Sequence, residues 1–162
     1  AYLLVGLFDA ISSFRGVAVE WQFTFLSTAI EQLGLYGAVS MIFYGSLYYM
    51  VPRLTGSPWA SAGLTAGHRL LVEAGVVILV VSLAVAGWTQ GSDLLDDKVS
   101  MADIFRQIRL SLMMGTIAQL ILFAANLMLV VNFFQSIRVC GAAKTPLESA
   151  FRQPAVLEAN LS

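Results

Sequence analysis

Charge is what this chain has least of. Of its 162 residues, 12% are Asp, Glu, Lys or Arg, while 58% are hydrophobic, and the mean hydropathy is +0.79. Soluble domains carry about a quarter charged residues, so too little polar surface is present to coat a globule. Three stretches, Gln32 to Pro52, Ala74 to Ser92 and Leu110 to Ile137, contain no charged residue at all. Each is near or above the roughly 20 residues that cross a hydrocarbon core of about 30 Å. A water-soluble three-helix bundle needs polar outer faces at helical spacing, and these runs lack them. The single cysteine, Cys140, excludes an internal disulfide, and no Cys/His cluster suggests zinc. A net charge of −1 gives nucleic acid nothing to bind.

What is present reads as an all-α integral membrane fold with three transmembrane helices. Residues 1–22 form an interfacial segment or the end of an earlier helix, with Phe14 and Val17 on the apolar side. The transmembrane region covers 23–137, with helices over about 23–51, 68–88 and 101–137. Pro52, Gly56 and Pro58 close the first helix, and a loop rich in small residues runs from Arg53 to Gly67. Ser100 followed by Asp103 resembles a capping box, which places the start of the third helix near Met101. Residues 138–162 read as a poorly ordered tail.

Basic residues set the orientation. Arg53, Arg69, Arg138, Lys144 and Arg152 fall on one side, against Arg15, Lys98, Arg106 and Arg109 on the other. That bias places the tail in the cytoplasm and the Asp93/Asp96/Asp97 loop outside. Tyr48, Tyr49 and Trp59 on one side and Trp88 on the other suit interfacial aromatic belts.

The segment Thr28-Ala-Ile-Glu-Gln-Leu33, followed by Gly34-Leu-Tyr-Gly37 and Gly45-Ser-Leu-Tyr-Tyr-Met-Val-Pro52-Arg53, resembles helix ten of heme-copper oxidase subunit I. The cbb-type branch is the most similar. Ala86-Gly-Trp-Thr-Gln-Gly91 is similar to the end of helix eleven there, and Asn126 with Val131-Asn132-Phe133 to helix twelve. The resemblance covers roughly residues 15 to 137, about the last quarter of a twelve-helix subunit, so the chain reads as a fragment of something longer.

The family reduces dioxygen with electrons from cytochrome c and pumps protons. Heme b and copper are implied for this chain only through that resemblance. The resemblance also implies a His-x-His pair near the start of the first helix, one imidazole for each of two heme irons. Residues at i and i+2 point about 200° apart around a helix, which lets one helix serve two hemes. Aligned on the flanking features, the pair falls at Ile30 and Gln32. Ile30 has no donor atom, and the amide oxygen of Gln32 is a weak iron ligand. No catalytic, cofactor-binding or metal-ligating residue is therefore assigned.

His68, the only histidine, reads as an interfacial or loop residue on the opposite membrane face. Glu31 and Gln32 are candidates for a polar contact with an upstream helix or a partner subunit, or mark a solvated helix start. Gln119 and Asn126, seven apart on the third helix, are candidates for bonds between helices. Arg69 and Glu73 form a candidate interfacial pair at i, i+4. Gly34, Gly37, Met41 and Gly45 put small residues on one stripe, where another helix could come close.

The expected function is the membrane portion of an oxidase subunit I-like protein of the aerobic respiratory chain, degenerate and non-catalytic in this stretch. One alternative is part of an active terminal oxidase whose ligands lie outside this chain. Another is an unrelated transporter or regulator. Expected partners are other membrane helices or oxidase subunits, with cytochrome c at the acidic loop as an option. The expected location is a bacterial inner membrane.

Overall fold

The computed structural model describes residues 2–96 and 98–159, with the side chains of residues 19, 20 and 140–159 outside the description. All regular structure among the described residues is helical. Two short helices, α1 (Tyr2–Ser12) and α2 (Arg15–Trp21), precede a long rod made of α3 (Phe25–Gln32), a π-helical segment (Leu33–Val39) and α4 (Ser40–Thr55). Two longer helices follow, α5 (Ala62–Leu94) and α6 (Met101–Ala159). The α5 helix, and α6 as far as Val139, are long and apolar enough to cross a membrane.

The first expected helix is therefore one rod with a seam in it. A π-turn inserts an extra residue into the α-helical ladder, so the face presented after Val39 is rotated relative to the face before Leu33. Its N-terminal half lies on α5, and its C-terminal half reaches α6 as well. The rod also runs past Pro52 to Thr55 and ends at Gly56, whose φ of 68° is the left-handed value that suits glycine.

Proline has no N–H to give the carbonyl four residues back, which here is that of Tyr48. The Trp59 indole N–H donates to that carbonyl instead, at 3.4 Å. The connection to α5 is short as a result. Ser61 caps α5 by accepting from the Leu64 N–H, so the helix expected over 68–88 starts at Ala62 and continues to Leu94.

Beyond α5, the acidic stretch shrinks. Asp93 belongs to the last turn of α5, and Asp97 lies outside the described residues. The capping box forms as read: the Asp103 N–H donates to Ser100 Oγ at 3.3 Å, and Ser100 Oγ donates to Asp103 Oδ2 at 2.7 Å. The tail expected beyond Ile137 is helical in its backbone as far as Ala159. Gly141, where a left-handed exit was available, stays helical.

The core lies between α5 and α6, antiparallel neighbours across a short turn. Buried positions on α6 recur at Ile104, Ile108, Ala118, Leu122, Ala125, Leu129, Asn132 and Ser136, mostly three or four apart. His68, Val72, Val76, Leu79, Leu83 and Ala86 answer them from α5. Such spacing produces the shallow helix crossings of coiled-coil-like bundles.

Small residues set the closest approaches, but not Gly34 or Gly45 of the rod's stripe. A Cβ at Gly45 would meet nothing within 4 Å, and one at Gly34 would only touch Val5 of α1 at 3.8 Å. At Gly75 it would lie 2.8 Å from Leu122, and at Gly87 it would lie 1.9 Å from the Leu26 backbone nitrogen. Helix α3 is thus seated directly on Gly87. The adjoining Phe25 N–H donates to Gln90 Oε1 at 3.0 Å, and Thr24 Oγ1 accepts from Leu26.

Candidate functional site

Two groups of polar residues lie along the rod, well separated. The first surrounds Ile30 and Gln32, at the junction of α3 and the π segment. Ile30 is half-buried and has only carbon to offer. Glu31 is exposed. Gln32 has its amide oxygen buried with no hydrogen-bond partner among the described residues. An unpaired buried acceptor costs about 1–3 kcal/mol, and the enclosed oxygen is out of reach of a partner, which leaves the exposed Glu31 as the candidate for an outside polar contact.

The second group lies on α4, α5 and α6, and most of it was not picked out from the sequence. His68 is 1% exposed, a core residue rather than an interfacial one, because α4 and α6 close over the first turns of α5. Its Nδ1 is hydrogen-bonded to the Tyr48 hydroxyl. The Tyr44 ring stands edge-on to the imidazole with centroids 4.8 Å apart. Tyr44 then donates to Asn126 Oδ1 at 2.7 Å, and Asn126 Nδ2 donates to the Leu122 carbonyl at 3.0 Å. The spacing of Tyr44 and Tyr48, one helical turn, was the available signal for this pair.

Whichever tautomer His68 adopts, Nδ1 serves Tyr48, and Nε2 is buried with no partner among the described residues. Beside the seam, a cleft of about 490 Å³ opens between α4 and α6, walled by Phe43, Tyr44, Leu47, Asn126 and Phe133. Removing the Tyr44 hydroxyl tests the contribution of this seam. Tyr44→Phe should lose about 1 kcal/mol, the usual net value of one hydrogen bond with a partner left behind. Unfolding in mixed micelles measures it, and a variant as stable as the parent refutes the bond.

Of the remaining candidates, Asn126 makes the bond between helices that was expected, to α4. Gln119 is exposed, because α3 and the π segment lean on α5 at that level and leave its side of α6 uncovered. Arg69 and Glu73 are paired at 3.5 Å with most of each side chain exposed. Such exposed pairs contribute little to stability. Below this, Asn132 and Ser136 bind the α4–α5 connection: Asn132 accepts from the Ser61 N–H and donates to its carbonyl, both at 3.0 Å, and Ser136 accepts from the Ala60 N–H.

The residues present do not fit heme. Gln32 is the sole polar side chain of the implied ligand pair, and its position lies about 24 Å along the rod from Tyr48, the partner of His68. On the face that carries Leu26 and Ala29, α3 lies flush on α5, so no porphyrin fits between these two helices. Among the described residues, no group of three or more His, Cys, Asp or Glu side chains is placed to hold a metal ion.

Fold and polar seam together define the class: among the described residues, an all-helical protein with two helices of membrane-spanning length and composition. No protein-family model matches the chain, and no curated protein matches it either.

Proposed function

We infer that this chain is the three-span membrane portion of a protein resembling heme-copper oxidase subunit I, and that it is non-catalytic. The observation that carries this reading is the segment from Thr28 to Arg53, which has the family's helix-ten pattern but holds Ile30 and Gln32 at the ligand positions. Three further features support it. The segment folds as one rod from Phe25 to Thr55, about 46 Å long at 1.5 Å per residue, enough to span a bilayer. Two long apolar helices follow in alternating directions. Inside the bundle Tyr48 is bonded to His68 and Tyr44 to Asn126, the kind of pairing that intramembrane polar groups generally find.

In this reading the protein contributes helical surface rather than chemistry. The outward faces of α4 and α6, with Ile42, Phe43, Leu120 and Phe123 exposed, pack against lipid, upstream helices or respiratory subunits. The exposed Glu31 is the polar group of this stretch that is open to one of those helices. The α6 end lies in the cytoplasm and the α5–α6 turn outside, in a bacterial inner membrane.

A pyridine-hemochrome assay on the purified full-length protein tests the reading. We expect no stoichiometric heme. One or two hemes per polypeptide, with oxygen uptake from reduced cytochrome c, would establish instead an active oxidase whose ligands lie outside this chain.

A further inference from the structure

A second cleft, of about 530 Å³, lies where α4 ends and α5 begins. Tyr48, Pro58, Trp59, Ala66 and Leu70 line it, and Arg69 is the one charged residue among its walls. The Arg69 side chain is 70% exposed, so its guanidinium reaches solvent while its stem flanks the apolar walls. Trp59 is fixed edge-on to Tyr48, with centroids 5.7 Å apart, and by its indole bond to the Tyr48 carbonyl. The aromatic wall is therefore preformed.

Charge at this end of the bundle has one dominant sign. Asn132 and Ser136 tie α6 to residues 60 and 61, which brings Arg138 to the same end as Arg53 and Arg69. Among the described residues there, these three arginines face a single acid, Glu73. Arg53 lies over the Tyr49 ring, its guanidinium carbon 4.3 Å from the centroid. The opposite end mixes Asp93, Asp96 and Asp103 with Lys98, Arg106 and Arg109.

We propose that this cleft binds an anionic phospholipid, with an acyl chain along the Trp59–Leu70 walls and the phosphate on Arg69. The proposal rests on the membrane reading above, and charge complementarity selects its occupant. A zwitterionic lipid brings its own cation to the site, which offsets much of what an arginine gains from its phosphate. An anionic headgroup pairs with the guanidinium at the depth where aromatic side chains sit in a bilayer. Arginine suits the task because its planar fork matches phosphate oxygens. Glu73 takes up part of that charge and moderates the affinity.

The experiment uses the whole chain with Trp21→Phe and Trp88→Phe, leaving Trp59 as the only tryptophan. The protein is reconstituted in phosphatidylcholine vesicles containing a matched fraction of brominated phosphatidylglycerol or brominated phosphatidylcholine, and Trp59 quenching is compared. Brominated phosphatidylglycerol should be enriched at Trp59 by about fivefold, the ratio set by one basic side chain near an anionic lipid. Arg69→Gln should abolish the preference, and Arg138→Gln, outside the cleft, should keep it. Equal quenching by both lipids overturns the site and leaves the membrane reading standing. Equal losses in the two arginine variants also overturn it, in favour of general surface charge. Quenching by neither lipid removes the membrane reading and the site together.

Discussion

Gly87→Ala should destabilise this protein by about 3 kcal/mol, a large effect for one added methyl group. A Cβ there would lie 1.9 Å from the Leu26 nitrogen and 2.6 Å from its Cα. Overpacking a core typically costs about 1–3 kcal/mol when side chains can yield. Here the obstacle is backbone, so α3 itself has to move. That movement also pulls the Phe25 N–H from Gln90 and disturbs the Thr24 cap on Leu26.

Gly45→Ala is the control, since its new Cβ meets nothing within 4 Å. Alanine is the better helix former by about 1 kcal/mol, so that variant should be slightly stabilised. Reversible unfolding in mixed micelles measures both. If Gly87→Ala were as stable as the parent, α3 would not be seated on α5 as described.

Asn132→Leu should cost about 2–3 kcal/mol, and its effect should be local. Asn132 is 1% exposed and makes two bonds to the α4–α5 connection, from the Ser61 N–H and to the Ser61 carbonyl, and a third to Thr65 Oγ1 in the first turn of α5 at 2.9 Å. Leucine fills the same volume but accepts and donates nothing. The Ser61 carbonyl still has Thr65, both its N–H and its hydroxyl. The Ser61 N–H loses its acceptor inside the protein, and an unpaired buried donor costs about 1–3 kcal/mol. Hydrogen exchange at Ala60 and Ser61 reads this directly. Ser61 should lose protection in Asn132→Leu while Ala60, held by Ser136, keeps it, and Ser136→Ala should expose Ala60. Unchanged protection in the leucine variant would show that Asn132 does not hold the connection.

Much of the architecture is legible in the residues. Long uncharged runs become long helices because nothing within them interrupts the backbone ladder or demands water. Ser100 and Asp103 start α6 as read, since capping is decided within four residues. Arg69 and Glu73 meet for a similar reason, being one turn apart on one helix.

The candidate site was less legible, and His68 shows why. Beside Arg69 and near the start of a helix, it reads as an interfacial residue. Its burial depends on α4 and α6 closing over it, which no local pattern reveals. The stripe Gly34, Gly37, Met41 and Gly45 suggested close helix approach, yet Gly34 and Gly45 have room for a side chain and tight crossings lie at Gly75 and Gly87. One glycine looks like another until a partner helix is placed against it. Pro52 misled in a different way. It ends most helices, but here the Trp59 indole supplies the hydrogen bond that proline withholds, and the rod continues to Thr55.

By itself, the sequence determined that this chain is helical, that it carries stretches with the length and composition of membrane spans, and that Ile30 and Gln32 bring no imidazole to the first rod. Those facts follow from composition and short-range spacing alone. Only the tertiary structure decided which face of each helix is inside. In helices apolar all round, the packed and unpacked sides have the same hydrophobicity, so crossing points and register must choose between them. That choice buries His68 against Tyr48, joins Tyr44 to Asn126, leaves Gln119 outside, and seats α3 on Gly87.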